Sequence, residues 1–188
     1  ALFFLFITAF SLQGLAQAEL SRGYYREADT LIKQGRFSEA CEMYKLFIDA
    51  ELNIDTANWV MISEAYNNMG VCRYIAGEYE SSAGFFEEAL IIMRKEGFND
   101  DIPGCLNNLG MVYQRLGNYD KAIQNYEQAL ALSEQSGESE DISKFLNNIG
   151  SIYDMWGKYD RAIHYFERSL RIKEQEGNQQ GMAISLNN

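Results

Sequence analysis

Apolar residues recur along most of this chain at the spacing of a helix face. Leu106, Leu109, Tyr113 and Leu116 stand at i, i+3, i+7 and i+10, one stripe of an α-helix. Gly117 interrupts the stripe, which resumes in Tyr119, Ala122, Ile123, Tyr126, Ala129 and Leu130. A further Gly at 97, 137 and 177 follows the second stripe, where a helix C-terminus favours a left-handed residue. The pattern predicts a helix, a tight turn and a second helix folded back on the first.

This unit repeats. Asn67-Asn68, Asn107-Asn108, Asn147-Asn148 and Asn187-Asn188 are 40 residues apart at each step, as are Gly70, Gly110 and Gly150, and Gly77, Gly117 and Gly157. Residues 106–135 and 146–175 are identical at 14 of 30 positions. A looser copy ends its first half at Gly35, 42 residues before Gly77. A fixed period of this size predicts a solenoid in which each hairpin packs on its neighbours. Small residues at Gly70, Gly110 and Gly150 in first helices, and at Ala40, Ser82, Ala122 and Ala162 in second helices, should let backbones approach closely. Tyr44, Phe86, Tyr126 and Phe166 should fill the space beside them.

The first eighteen residues carry no charge at all. Their apolar run, residues 2–12, is shorter than the ~20 residues that span a bilayer. It leads to Ala16-Gln17-Ala18, a small-x-small pattern, and Glu19 opens the polar remainder. Residues 1–18 therefore read as the end of a secretory signal with cleavage after Ala18. The missing Met and basic start imply that the leader is truncated at its beginning. The alternative is an N-terminal buried helix of the domain.

Composition narrows the function classes. Sixteen basic against 27 acidic residues give a net charge of −11, which opposes the phosphate neutralisation that nucleic-acid binding needs. A single His leaves little scope for His-rich metal sites or a Ser-His-Asp triad. Cys41, Cys72 and Cys105 lack C-x-x-C spacing. Cys41, early in one second helix, and Cys72, late in the next first helix, should nevertheless approach across antiparallel helices, as buried free thiols or as a disulfide. His164 reads as an ordinary helix residue. The acids at Asp100-Asp101 and Glu138–Asp141 precede first helices and suit the helix dipole better than calcium. No phosphate loop, G-x-S-x-G or nucleophile–base pair is readable, and no cofactor or enzyme activity is expected of this segment.

The run Leu106-Asn107-Asn108-Leu109-Gly110, Tyr113, Gly117-Asn118-Tyr119, Ala122, Tyr126 and Ala129-Leu130 resembles the tetratricopeptide repeat. That family's pattern places Leu-Gly after a large residue, then Tyr, Gly-x-Tyr, Ala, Tyr or Phe, and Ala. The match recurs at 66–96 and 146–176, with a degenerate copy near 22–50. The Pro that usually closes the second helix is absent, Arg73 takes a Tyr position, and the unit is 40 residues rather than about 34. Longer units with paired Asn are similar to those of kinesin light chains, of the adaptor that positions the mitotic spindle, and of exported repeat arrays in bacterial sensors. The resemblance implies an all-α, right-handed superhelical solenoid of helix–turn–helix hairpins. Its units would be a degenerate first repeat at 19–57, full repeats at 58–97, 98–137 and 138–177, and the opening of a fifth at 178–188.

In such arrays the first helices line the concave face, and the second Asn of each pair holds the backbone of an extended peptide. An amide side chain both donates and accepts, so it can hold a peptide without reading its sequence. The role carries over to Asn68, Asn108, Asn148 and Asn188, with Asn67, Asn107 and Asn147 beside them. Tyr74, Met111 and Gln114 would tune the groove, and Arg115 and Lys144 are the cations nearest it. The other reading has these Asn bonding neighbouring helices or local backbone. The expected function is non-catalytic capture of a protein or extended peptide outside the cytoplasm, in the periplasm or envelope of a bacterium. The alternative is the input domain of a larger signalling protein, a membrane sensor kinase or transcriptional regulator, with a membrane anchor in further sequence.

Overall fold

The computed structural model describes residues 2–54, 56–137, 139–175 and 177, with side chains from Ala16 onward and at Gly14. Residues 178–188, including Asn187, Asn188 and the expected start of a fifth repeat, lie outside the described residues. Eight α-helices account for nearly all of the rest: α1 (Leu2–Lys33), α2 (Phe37–Leu52), α3 (Trp59–Ile75), α4 (Tyr79–Glu96), α5 (Ile102–Arg115), α6 (Tyr119–Ser136), α7 (Ser139–Met155) and α8 (Tyr159–Gln175). Among the described residues there is no strand. The all-α hairpin repeat expected from the spacing is the observed fold. Two compact units divide it, one holding α1–α4 and the other α5–α8.

Each hairpin turns on a Gly. Gly117 adopts φ +69°, a left-handed conformation that a side chain disfavours. This lets the Asn118 N–H reach back to the Tyr113 carbonyl (2.9 Å) and the Gly117 N–H to Gln114 (3.1 Å), the paired closure of a helix C-terminus. Asn118 then begins α6 by accepting from the Lys121 N–H at 3.1 Å. The turn recurs at Gly35, Gly77 and Gly157, all with positive φ.

Within the hairpins, a ring occupies the space that a side chain on the first helix would need. A Cβ placed on Gly110 would lie 2.6 Å from the Tyr126 ring; on Gly70, 2.7 Å from Phe86; on Gly150, 2.6 Å from Phe166. Ser82 adds a buried hydrogen bond to the Gly70 carbonyl (2.7 Å). The rings read as filling the space beside the small residues are thus seated on these glycines in three successive hairpins.

In the first unit the core runs through Ala28, Tyr44, Phe47, Ile62, Ala65 and Met69, with the Tyr25 ring edge-on to Tyr44 (5.4 Å) and Phe47 (5.0 Å). Glu51 is 5% exposed yet fully engaged: it accepts from Ser21 Oγ at 2.5 Å and from the Asn58 N–H at 2.9 Å. A buried carboxylate without such donors would be strongly destabilising, so Glu51 ties α1, α2 and the start of α3 together. Arg73, at the family's Tyr position, is largely covered, its Nε buried, and forms an ion pair with Glu78 at 2.9 Å. In the second unit Leu106, Leu109, Val112, Tyr126, Phe145, Leu146, Ile149 and Ile152 form the equivalent core. α1 is continuous from Leu2 through the proposed leader boundary at Ala18. Among the described residues no helix is long and apolar enough to cross a membrane.

Gly110→Ala should destabilise by about 1–3 kcal/mol, because the ring of Tyr126 has nowhere to go. Gly84→Ala, mid-helix in α4 with nothing within 4 Å of the new methyl, should stabilise by about 0.5–1 kcal/mol. Urea denaturation of the two variants should move the midpoint in opposite directions; equal shifts would remove the ring from its proposed role.

Candidate functional site: a polar face on the first helices

The expected site residues lie on α3, α5 and α7, the first helices of their hairpins. Helical spacing sorts those of α5 into two adjoining stripes, Asn107–Met111–Gln114 and Asn108–Arg115, while Lys144 stands one turn before Asn148 on α7. All six described Asn of the pairs are half-buried. That is the exposure expected of side chains lining a shallow face.

The second unit joins these residues to one another. Asn148 Nδ2 donates to Asn107 Oδ1 across the α5–α7 seam at 3.0 Å. Asn107 Nδ2 in turn lies 3.6 Å from Met111 Sδ, and Gln114 Nε2 lies 3.7 Å from Met155 Sδ. Both cross-helix contacts join residues 41 apart, one more than the repeat. The second Asn of one pair therefore meets the first Asn of the preceding pair. Lys144 is ion-paired with Asp141 one turn earlier and sits 4.8 Å from the centre of the Phe145 ring. Arg115 is exposed. Of the two readings of the paired Asn, neighbour bonding is present at Asn107 and Asn148. It leaves Asn148 its carbonyl and a second N–H for another partner.

The first unit solves the same problem differently. Asn68 Nδ2 donates to Tyr44 Oη (3.1 Å), and Tyr44 donates to Asp29 Oδ1 (2.6 Å). Alongside, Tyr25 donates to Glu64 Oε2 at 3.1 Å. Burial, then Asp29, pushes the Tyr44 phenol far above its ordinary range; burial, then Glu64, does the same for Tyr25. Both phenols are therefore neutral donors at any physiological pH. Tyr74 is half-buried at the hairpin edge, its ring 5.6 Å from that of Tyr79.

Two features were missed by reading the sequence. The Asp29–Tyr44–Asn68 chain has no sequence signal, because Tyr44 was assigned wholly to packing. The other is a run of aromatic–cation contacts in the second unit: Lys121 at 4.7 Å from the Tyr113 ring, Arg161 at 5.4 Å from Tyr153, and Lys158 at 3.1 Å from Trp156. The signal was there, as both Tyr113 and Tyr153 have a cation eight residues on. His164 is exposed beside Tyr165. It shares with Arg168 and Arg171 an open groove of about 470 Å³ above α7. Among the described residues, no group of three metal-ligating side chains gathers.

Profiles of the tetratricopeptide repeat match residues 25–97 and 103–175, together most of the chain. The chain belongs to the tetratricopeptide repeat family. No curated protein matches it in sequence. Its fold is similar to that of BtubC from P. vanneervenii (21% identity, TM-score 0.72, covering 87% of this chain and 72% of that one). It is similar too to a kinesin light chain of nearly identical repeats from Podosopora anserina (15%, 0.73, 90% and 82%). A signal transduction ATPase with a tetratricopeptide repeat sensor from Pyrococcus horikoshii also matches (18%, 0.78, 90%), but there the chain spans only 26% of the other protein.

Asn107→Ala, Asn148→Ala and the double variant form a cycle. If the observed amide bond is made in solution, the two changes should couple by about 0.5–1.5 kcal/mol in urea denaturation. Strict additivity would mean that the amides do not meet.

Proposed function

We propose that this chain is a non-catalytic protein-binding module that holds an extended peptide against the polar face of its first helices. The observation that carries this reading is the recurrent pair of half-buried Asn on that face. These amides are too polar to be core filling and too regularly placed to be incidental surface. In the second unit Asn107, Asn108, Asn147 and Asn148 offer donors and acceptors suited to peptide backbone, with Met111, Gln114, Arg115 and Lys144 around them. In the first unit Asn67 and Asn68 do so beside Tyr74. Bonds to backbone leave the peptide's side chains to decide specificity.

A display library of random peptides selected on the whole chain supplies the probe. Asn108→Ala combined with Asn148→Ala should weaken the selected peptides roughly 10- to 100-fold, the loss of one or two hydrogen bonds. Its far-UV circular dichroism should be retained, and its melting point should fall by only a few degrees. Unchanged affinity in the folded double variant, or outright unfolding, would assign the Asn to structure alone.

A second reading places the same module outside the cytoplasm, in the periplasm or envelope of a bacterium, as the input part of a signalling protein. It is favoured by the uncharged residues 1–18 ending in Ala16-Gln17-Ala18, and by likeness to a repeat array whose name calls it a sensor. Expressed behind a complete signal sequence in a bacterium, the chain should be recovered from the periplasm beginning at Glu19. A cytoplasmic product that keeps residues 1–18 would instead make them part of the first helix.

A further inference from the structure

Two of the three cysteines meet across the seam between α2 and α3. Cys41 lies near the start of α2 and is fully buried; Cys72 lies near the end of α3 and is 1% exposed. Both are free thiols in this structure. The antiparallel run of the two helices brings these positions to one level. The Cys41 thiol points at the Met69 carbonyl, 3.9 Å away and one turn before Cys72. Cys72, three residues past Met69, lies on the same buried seam, within electrostatic reach of Cys41. One turn away on either helix are Tyr44 and Asn68, themselves in contact at 3.1 Å, so the seam is locked by a polar bond next to the thiols.

A buried free Cys ordinarily serves as a small apolar side chain and is inert. This pair differs, because two buried thiols share one seam and interact with each other. The neighbouring Cys72 thiol above all, then the charges of Arg73 and Lys45, bring Cys41 below the usual thiol range to about 7, while the same neighbour and burial push Cys72 upward. The thiolate is the nucleophilic form, so an attacking sulfur and a resolving sulfur already stand side by side.

We propose that Cys41 and Cys72 are a modification site, forming a disulfide by exchange with a disulfide-bearing oxidant and so fastening the first hairpin to the second. When the seam opens, the Cys41 thiolate attacks one sulfur of the oxidant. The oxidant's S–S bond breaks, a mixed disulfide forms, and one oxidant thiolate leaves, taking the Cys72 proton. The Cys72 thiolate then attacks the Cys41 sulfur, closing the protein disulfide. The oxidant's second sulfur leaves as thiolate and is protonated by the equivalent of the proton Cys41 gave up. Two protein thiols are oxidised and one oxidant disulfide is reduced to two thiols. The joint so made lies between hairpins, where a repeat protein depends on nearest-neighbour contacts alone.

The test uses the whole chain and oxidised glutathione at pH 8, followed by acid quenching, denaturation, alkylation and mass spectrometry. The expected product is lighter than the reduced chain by two hydrogens before alkylation. It takes one alkyl group, on Cys105, and yields a peptide joining Cys41 to Cys72. It should melt higher than the reduced chain, by on the order of 5–10 °C, since the bridge restricts the unfolded chain. Cys105→Ser should still lose the two hydrogens and Cys41→Ser should not. Three alkylated cysteines, a persistent glutathione adduct, a bridge to Cys105 or a lower melting point would each overturn the proposal.

Discussion

The fold rests on an absence. At Gly70, Gly110 and Gly150 the first helix of a hairpin has no side chain, and the ring of Phe86, Tyr126 or Phe166 occupies the vacancy at distances no Cβ would tolerate. The ring fixes the separation of the two helices. That separation in turn fixes which residues of the first helix face inward with Leu106, Leu109 and Val112 and which stay on the outer polar face. Gly in a helix interior costs roughly 0.5–1 kcal/mol relative to Ala, and burial of an aromatic ring more than offsets it. The remaining core residues fill a frame already set by that contact.

Much of this was legible in advance because it depends on side-chain size. A 40-residue period, Gly against an aromatic ring, and Gly at both helix ends are properties of single positions, and they read out as the turn at Gly117 and the close pairs above. The hydrogen-bond partners of the polar face were not legible in the same way. A period of 40 in sequence says that Asn107 and Asn147 are equivalent; it does not say that Asn148 is the residue that touches Asn107. That depends on the axial offset of neighbouring helices, which is set by packing and shifts the contact to 41. Tyr44 shows the same gap. Its ring was foreseen as filling, while its hydroxyl, bonded to Asp29 and Asn68, answers to geometry alone.

The two units meet one requirement with different chemistry. A half-buried Asn on a first helix needs a partner on the element before it. In the second unit that partner is another Asn. In the first, where the preceding helix carries Tyr25 and Arg26 at the corresponding places, Asn68 turns to a phenol held by a carboxylate. Tyr44 has thus acquired a polar duty in addition to its packing role, and the degenerate repeat retains the polar face without retaining its motif.

The 41-residue contact inside a 40-residue period also bears on how such a chain could lengthen. Both positions of this joint are Asn in each repeat of the type, and at the joint described the earlier repeat supplies the acceptor, Asn107, and the later one the donor, Asn148. A tandem duplication of one such unit would therefore bring both halves of the new joint with it, and no compensating substitution would be needed. Joints built from two unlike residues on unlike units, such as Asn68 with Tyr44, lack this property and are lost when copied out of place. The paired Asn is in this sense a self-matching connector, whose spacing makes growth by copying chemically neutral at the seam.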